Sequence, residues 1–450
     1  MKISNPVKIS NGVKKIKKGP ALWRRAKKII PGGSQLLSKR SELFLPDYWP
    51  SYYKKAKGVE VWDLDGNKYI DTCASIGACI LGYADPDVNQ AVKKVIDEGN
   101  TSTLNAPEEV ELAELLIRLH PWAKMVRYTR GGGEAMTVAV RIARAYTGKD
   151  KVVFCGYHGW QDWYLAANLA DDKNLDEHLL PGLKPKGTPR SLIGTALPFH
   201  YNNIEELKKI VAANKDIGAI VMEPVRNHEP ENNFLAKVRK IADEIGAILI
   251  FDEVTIGWRL LVGGVHLKYG VNPDIAVFAK GISNGFPMAA IIGVGKVMQA
   301  AQDSFISSSS WTERIGPAAA LATIRKMISK KVPRQLERIG KIFKAGLREA
   351  AAKTGLKIEI TGFPQLICFS FDYGQDGQAV MTLFTQEMLN RGFLAIGNID
   401  VSYALKEEQA KKYLKAAREV FSILKEAVDQ GEVHKLLKGP VAHTKFARLT

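Results

Sequence analysis

The sequence has little cysteine, and what it has is not spaced for a disulfide framework or a zinc site. Its 450 residues include four cysteines and no CxxC pair, and both kinds of site need closely grouped cysteines. The thiols lie in apolar surroundings, at Cys73, Cys79, Cys155 and Cys368. We therefore expect buried free thiols, a reducing cytoplasm and no bound metal.

Long apolar runs are also missing. No stretch of about 18 apolar residues is free of charge, glycine or proline, so no membrane span is expected. The nearest candidate, Ile275 to Gly295, contains Lys280, Asn284 and Pro287. The composition of 46% hydrophobic and 25% charged residues is typical of an ordinary globular protein. The absence of internal repeats and low-complexity segments agrees with this interpretation.

Acidic residues are absent from the first 28 positions, whereas lysine and arginine are frequent there. The formal charge of the whole chain is +17, and a basic run of this kind attracts phosphate, nucleic acid or an anionic surface. It has no apolar core, so it is not a secretory signal. Its basic residues are not interleaved with aromatic residues that stack on bases. We expect a solvated arm, and a nucleic-acid-binding protein remains the alternative from a different class.

Three segments are predicted from the pattern along the chain. Residues 1–75 form the basic arm, a short helix from Ala21 to Ile30 and a hairpin, and residues 324–450 form a small C-terminal domain. In residues 76–323, strands and helices alternate, which is typical of an α/β domain with a mostly parallel sheet covered by helices. The predicted strands are Met125 to Thr129, Val152 to Phe154, Ala219 to Met222, Ile248 to Phe251, Ile275 to Phe278 and Ala289 to Val294.

Two of these strands deliver an ionisable residue at or near their carboxyl ends. Asp252 follows Ile248 to Phe251, and Lys280 follows Phe278 and Ala279. In open α/β sheets ligands bind at this edge. A partly desolvated lysine is a nucleophile that forms a Schiff base, and an aspartate pairs with a protonated pyridine nitrogen. The two residues together predict a site for pyridoxal phosphate.

A glycine-rich turn follows another strand. Gly131, Gly132 and Gly133 come after Thr129 and precede the predicted helix Glu134 to Tyr146. Glycines let backbone amides approach a phosphate closely, and the dipole of the helix favours the dianion. We therefore expect this turn to hold the phosphate of the cofactor. A merely tight turn is the alternative for this motif taken alone.

Further candidates also lie after predicted strands. Tyr157, in Gly-Tyr-His-Gly-Trp, presents a ring that can stack on the cofactor, with an ordinary core tyrosine as the alternative. Glu223 follows Met222 and is a further candidate for the site. The alternative for this residue is an ion pair on the surface. His158 is expected to be a hydrogen-bonded structural histidine.

The order and spacing of these motifs resemble the class III aminotransferase family of pyridoxal-phosphate enzymes, in particular the branch around glutamate-1-semialdehyde aminomutase. The resemblance covers roughly Pro31 to Val428 and is best from Gly58 to Ala290, which includes the hairpin VWDLDGNKYID. It implies a fold type I transferase with a large cofactor domain and a small α+β domain built from both chain ends. It also implies a homodimer with shared active sites.

Roles for individual residues follow from the resemblance. It implies that Lys280 holds the cofactor and moves the proton, and that Asp252 keeps the pyridine nitrogen protonated. Tyr157 and Val254 would pack on opposite faces of the ring, and Glu223 would help to orient it.

The resemblance is imperfect around the phosphate. Gly131 and Gly133 stand where the family usually has hydroxyl residues, so only backbone donors remain in the turn. Thr312 falls near the family threonine that reaches the phosphate across a dimer interface, although its neighbours differ from the family pattern.

Transfer of an amino group from an amino acid to a ketone or aldehyde is the leading prediction for the reaction. The first alternative is the intramolecular transfer of a glutamate-1-semialdehyde 2,1-aminomutase. Against it, the segment Pro31 to Gln35 resembles the substrate-binding segment of that enzyme only at the glycines. An epimerase that uses the same lysine is a third option. The identity of the substrates is not encoded in any motif.

Overall fold

A computed structural model describes residues 15–178 and 181–446. The predicted loose arm, residues 1 to about 20, therefore lies mostly outside the described residues. Two compact units are formed by the described parts of Met1–Asp85 with Gln335–Thr450, and of Pro86–Arg334. These bounds lie about ten residues beyond the predicted ones, after 75 and 323. The first shift arises because Tyr83 pairs with Gly58 in a β-bridge, which ties residues 76–85 to the hairpin.

The strands lie close to the predicted positions where a prediction was made. In chain order they are β1 Tyr53–Lys57, β2 Glu60–Asp63, β3 Lys68–Asp71, β4 Met125–Thr129, β5 Lys151–Cys155, β6 Ala196–Pro198, β7 Ile217–Met222, β8 Ile248–Asp252, β9 Ile275–Phe278, β10 Ala289–Gly293, β11 Ile358–Phe363, β12 Leu366–Phe371, β13 Phe393–Leu394 and β14 Asn398–Asp400.

The helices include the predicted basic helix near the amino terminus and the long helices of the carboxyl-terminal part. They are α1 Lys18–Ile29, α2 Pro86–Glu98, α3 Pro107–Leu119, α4 Gly132–Thr147, α5 Asp162–Leu165, α6 Ala167–Ala170, α7 Ile204–Ala213, α8 Phe234–Ile245, α9 His266–Tyr269, α10 Gly295–Met298, α11 Ile315–Ser329, α12 Val332–Thr354, α13 Gly377–Asn390, α14 Glu407–Asp429 and α15 Val433–Leu436.

The unit Pro86–Arg334 is built on one mixed sheet. Within its described residues the sheet has seven strands, in the order β4-β10-β9-β8-β7-β5-β6. Only β10 pairs antiparallel to its neighbours β4 and β9, whereas the pairs from β9 to β6 are parallel. The predicted α/β fold with a mostly parallel sheet is confirmed.

Alternating residues of the central strands supply both cores of this unit. In β5, Val152 and Phe154 face one apolar cluster, which includes α4, and Val153 and Cys155 face the other, which includes α8. Side chains of a strand point alternately to the two faces of a sheet, and parallel sheets are covered on both. Because both faces of the sheet are covered, a ligand can reach these strands only at their ends.

The described residues of the other unit form two smaller sheets. The hairpin β2–β3 is antiparallel, and β3 pairs in parallel with β13 of the carboxyl-terminal segment. Strands β11, β12 and β14 form an antiparallel sheet. Because β13 completes a sheet that the amino-terminal hairpin starts, both chain ends build this unit, as the fold-class prediction stated. The helices of this unit include α12 and α14.

All four cysteines are free thiols, as expected from their spacing. Burial raises the pKa of the Cys79 thiol to about 12, so this thiol is protonated at neutral pH. In the described part of the chain, no helix is long and apolar enough to cross a membrane.

Gly340 allows α12 to lie directly against the turn between β11 and β12. A Cβ atom on Gly340 would lie 1.7 Å from the backbone oxygen of Pro364. We expect Gly340→Ala to lower the free energy of unfolding by about 2 kcal/mol or more, because the helix must move away from the turn. Urea denaturation measures this loss.

Gly295→Ala is the matched control for this variant. A Cβ there would meet only Lys124 Cβ, at 3.6 Å, and alanine is the better helix former. The control should be neutral or slightly stabilising. Equal stability of the Gly340→Ala variant and the wild type would show that α12 does not need this close approach.

Candidate active site

Four neighbouring parallel strands end at one edge of the large sheet, and each is followed by a predicted site residue. Tyr157 follows β5, Glu223 follows β7, Asp252 ends β8 and Lys280 comes after β9. In parallel neighbours the carboxyl ends meet at the same edge. The parallel register from β5 to β9 therefore brings these residues to one edge of the sheet.

Asp252 is buried and has a partner on each carboxylate oxygen. Its Oδ2 lies 2.8 Å from Nδ1 of His158, and its Oδ1 accepts a hydrogen bond from the Val254 amide at 3.0 Å. His158 Nε2 lies 3.1 Å from the carbonyl oxygen of Cys155, and a carbonyl only accepts, so Nε2 carries a proton. The ring therefore links the Cys155 carbonyl to the Asp252 carboxylate. His158 thus fixes Asp252 in position, a more specific role than the structural one expected.

Lys280 lies directly after β9 in a strained backbone conformation. Its φ is 46°, in the left-handed region that non-glycine residues rarely adopt. Its Nζ donates a hydrogen bond to Thr255 Oγ1 at 2.8 Å. Arg259 is buried and donates from Nε to the Thr255 carbonyl at 2.7 Å. The loop after Asp252 thereby holds the hydroxyl that positions the lysine amine.

The glycine turn opens α4, as predicted. The Glu134 carboxylate accepts hydrogen bonds from the amides of Arg130 and Gly131, at 3.1 and 2.9 Å. The amides of residues 132–134 are the first three of the helix and have no acceptor within it. The N-terminus of α4 therefore offers amide donors and a positive dipole end to an anion.

Gly132 gives the turn room to approach Val254. A Cβ on Gly132 would lie 3.1 Å from Val254 Cγ1 and 3.5 Å from Cβ of Ala279, the residue before Lys280. The close approach joins the glycine turn to the loops that carry Asp252 and Lys280. This cradle, which a side chain would fill, fits a phosphorylated ring with its phosphate at α4.

Tyr157 and Glu223 lie side by side. The Tyr157 amide donates to Glu223 Oε2 at 3.3 Å, and a Cβ on Gly156 would lie 2.8 Å from the same oxygen. Burial raises the pKa of the Tyr157 phenol, and the negative charge of Asp252 raises it further. The phenol is therefore neutral at physiological pH, as an aromatic stacking partner requires.

Glu223 is neutralised by Arg226, which the sequence analysis did not single out. Arg226 Nη1 lies 3.1 Å from Glu223 Oε2, and the side chain of Arg226 is 46% exposed, against 6% for Glu223. A buried carboxylate needs such a partner. Almost half of the Arg226 side chain is therefore exposed next to a buried carboxylate.

Thr312 is the predicted site residue that the structure does not bring to the others. It is exposed in the short 3-10 helix Ser309–Thr312, and its Oγ1 donates to the Ser309 carbonyl at 2.8 Å. Arg130 holds this segment: its Nη2 donates to the carbonyls of Trp311 and Glu313, at 2.8 and 2.9 Å. The segment is thus tied to the residue that precedes the glycine turn.

A buried histidine network supports the loop after Asp252. Glu253 Oε1 lies 2.8 Å from His266 Nδ1, and His266 Nε2 accepts from Trp122 Nε1 at 3.0 Å. His120 Nε2 accepts from the Gly264 amide at 2.9 Å. On the other side of the ring, His120 Nδ1 donates to the Leu116 carbonyl at 2.9 Å. Burial lowers the pKa of His120 to about 4, so these two hydrogen bonds use the neutral form.

We expect this burial to make stability depend on pH. Between pH 6.5 and 4 the unfolded chain binds a proton at His120 that the folded chain does not. The free energy of unfolding therefore falls as the pH falls through this range. The expected contribution is up to about 3 kcal/mol. Urea denaturation at pH 7.5 and 4.5 should show a smaller pH dependence in His120→Gln than in the wild type.

The comparison isolates His120, because His178, whose pKa is also lowered to about 4, is present in both proteins. His434→Gln is the control, since the His434 side chain is 64% exposed. An unchanged pH dependence in His120→Gln would mean that His120 does not titrate on unfolding.

Sequence reasoning missed three residues at this edge: Thr255, Gln161 and Arg226. Each is polar and near a predicted motif, which was the available signal. Nothing in their local pattern showed what they would contact. Thr255 and Lys280 are 25 residues apart in the chain.

Comparison with known proteins agrees with this geometry. A family model described as Aminotransferase class-III matches residues 46–417. The 3-aminobutyryl-CoA aminotransferase of Cloacimonas acidaminovorans is 31% identical in an alignment of 372 residues that covers 81% of this chain and 86% of that protein. The glutamate-1-semialdehyde 2,1-aminomutase of Methanothermobacter thermautotrophicus is 33% identical in an alignment of 431 residues that covers 91% of this chain and 100% of that one.

A solved structure has the same fold. The FumI protein of Sphingopyxis sp. MTA144, in its PLP internal aldimine form, superposes with a TM-score of 0.83 at 26% identity. The match covers 93% of this chain and 99% of that chain.

Proposed function

The chain belongs to the class III aminotransferase family of pyridoxal-phosphate enzymes, and from this premise we propose that it transfers an amino group from an amino acid to a ketone or aldehyde. The observation that carries the proposal is the pairing of Lys280 with Thr255 at the same sheet edge as Asp252 and His158. A poised amine and a buried carboxylate one strand apart are what amino transfer on this cofactor needs.

Pyridoxal phosphate, when bound, supplies an aldehyde that condenses with amines and a ring that withdraws electrons from the reacting carbon. In our proposal Lys280 would hold the cofactor, and its amine would serve as the base and acid that moves the proton of the substrate. Thr255 orients the lysine amine. Asp252, held by His158 and the Val254 amide, keeps a proton on the ring nitrogen.

The remaining predicted site residues position the ring. Tyr157 and Val254 would cover its two faces and exclude water, since stacked and branched side chains leave no room for it. Glu223 would act on the hydrogen bonds at the ring edge, with its charge balanced by Arg226. The amides of residues 132–134 at the N-terminus of α4 would hold the phosphate, whereas the amide of Gly131, also predicted to bind it, donates to Glu134.

A homodimer with shared sites is part of the proposal. Thr312 is exposed and sits on a segment that Arg130 anchors, and its hydroxyl is held by the Ser309 carbonyl. This placement supports a role for Thr312 in the site of a partner subunit. The cytoplasmic location expected from the free thiols stays a prediction.

The intramolecular aminomutase reaction is the second candidate. It is favoured by the M. thermautotrophicus relative, which this chain matches over its whole length. The mismatch after Pro31-Gly32-Gly33 speaks against it. Arg226 supports an acidic substrate for either reaction, because it places a positive charge on a side chain that is 46% exposed beside Glu223.

A panel of amino donors and carbonyl acceptors tests the proposal. The purified protein with pyridoxal phosphate should give a visible absorption band that one donor bleaches, and an acceptor should restore it. The panel contains matched acidic and neutral compounds, because Arg226 predicts faster reaction with the acidic ones. Reversible bleaching by two separate substrates identifies a transaminase.

Other outcomes would point to other reactions. Conversion of glutamate-1-semialdehyde without an external donor would instead establish the aminomutase. Inversion of an amino acid with no nitrogen transfer would establish an epimerase. Absence of any band with wild-type protein would refute the cofactor assignment.

A further inference from the structure

The side-chain amide of Gln161 lies between Gly133, at the start of α4, and Gly159, in the loop after β5. A Cβ on Gly133 would be 2.5 Å from Gln161 Nε2 and 2.8 Å from Oε1. A Cβ on Gly159 would be 2.6 Å from the same Oε1. Distances below 3.0 Å do not occur for real Cβ atoms, so the carboxamide can lie here only because both residues are glycines.

The orientation of this amide is fixed by the backbone. Gln161 Oε1 accepts a hydrogen bond from the Trp160 amide at 3.2 Å, and only the oxygen of a carboxamide accepts. Nε2 is therefore the atom that lies against Gly133. Its two N–H groups are given no acceptor by the described residues.

Gln161 Nε2 thus joins the amides at the N-terminus of α4. Glu134 has already taken the amides of Arg130 and Gly131, so residues 132–134 supply the remaining backbone donors of the first turn. A side-chain amide beside them adds a donor to a place where the helix dipole already favours negative charge.

We propose that Gln161 is a direct phosphate ligand in this protein, its Nε2 donating a hydrogen bond to the phosphate of the cofactor at the N-terminus of α4. The inference rests on the proposed function. The turn of three glycines has no hydroxyl to offer to the phosphate. Gln161, in the loop after β5, would supply the missing side-chain donor through the space next to Gly133.

Binding measurements with two forms of the cofactor test this assignment. Pyridoxal phosphate and pyridoxal differ by the phosphate, so a phosphate ligand matters for the first compound only. Titrations followed by quenching of tryptophan fluorescence give the dissociation constant of each. We expect Gln161→Ala to raise the dissociation constant of pyridoxal phosphate about tenfold or more, as for the loss of a hydrogen bond to a charged group. The dissociation constant of pyridoxal should rise less than about twofold.

Two further variants separate this role from a structural one. Gln161→Glu keeps the size of the side chain but puts a carboxylate near the phosphate dianion. The loss of affinity for pyridoxal phosphate should therefore be larger than in Gln161→Ala. The double variant Gln161→Ala with Gly133→Thr supplies a hydroxyl in the space that the carboxamide has left. It should recover most of the lost affinity for pyridoxal phosphate.

Gln302→Ala is the control, because this glutamine is exposed in the same unit and should leave both constants unchanged. An equal loss for the two compounds in Gln161→Ala, or no loss for either, would overturn the inference while the proposed function stands. If wild-type protein binds pyridoxal phosphate no better than pyridoxal, the proposed function and the inference both fail.

Discussion

Replacement of Lys280 by alanine is expected to lower amino transfer by about 10,000-fold or more, because both the covalent link to the cofactor and the proton-moving amine are lost. Its geometry makes it difficult to replace: the strained φ of 46° and the hydrogen bond to Thr255 hold this one amine at the sheet edge. The rate of donor-dependent bleaching measures the loss.

Mass spectrometry after borohydride reduction supplies a second measurement. In wild-type protein the reduced cofactor should be attached to Lys280, and the Lys280→Ala variant should carry none. Lys296→Ala is the matched control, since this lysine is exposed shortly after β10 and should retain full activity. Attachment to another lysine, or turnover by Lys280→Ala, would reject the assigned role.

Asp252→Asn is expected to slow the same half-reaction by about 100-fold or more, without unfolding the protein. The amide keeps the size of the carboxylate and can still accept from the Val254 amide, but it has no charge to hold a proton on the ring nitrogen. Loss of one preorganised electrostatic contact at a reacting centre typically costs this much. Stopped-flow bleaching with a saturating donor measures the rate of the chemical step.

The control and a double variant give the result its meaning. Asp303→Asn changes an exposed aspartate and should be neutral. Because His158 acts through Asp252, adding His158→Asn to Asp252→Asn should cost much less than His158→Asn costs in the wild type. A normal rate in Asp252→Asn, or simple additivity of the two losses, would show that this pair does not tune the ring.

Several parts of the site could be predicted because they depend on neighbours in the chain. The apolar run Ile248 to Phe251 is a buried strand whatever surrounds it, and β8 begins at Ile248 and ends at Asp252. Three glycines before a helical pattern open a helix, and α4 begins at Gly132. Asn203 precedes α7 and caps it by accepting from the Glu206 amide, a contact between residues three apart that is typical of a helix start.

Other features required the whole fold. His158 and Asp252 are 94 residues apart in the chain, and nothing local shows that they meet. The same holds for Arg130, whose contacts with Trp311 and Glu313 cross about 180 residues. The amide of Gln161 reaches Gly133 only because the loop after β5 passes over the start of α4. The spacing of apolar residues along the chain does not indicate such a contact.

The sequence by itself determined which segments are strands and helices, which strand ends carry an amine, a carboxylate or a glycine turn, and which family the chain resembles. These properties follow from side-chain size, polarity and backbone freedom over a few residues. Only the tertiary structure decided the partners of those groups: Thr255 for Lys280, His158 for Asp252 and Gln161 for Gly133. The physical reason is that a hydrogen bond depends on distances of about 3 Å, and the sheet order sets these distances between residues remote in the chain.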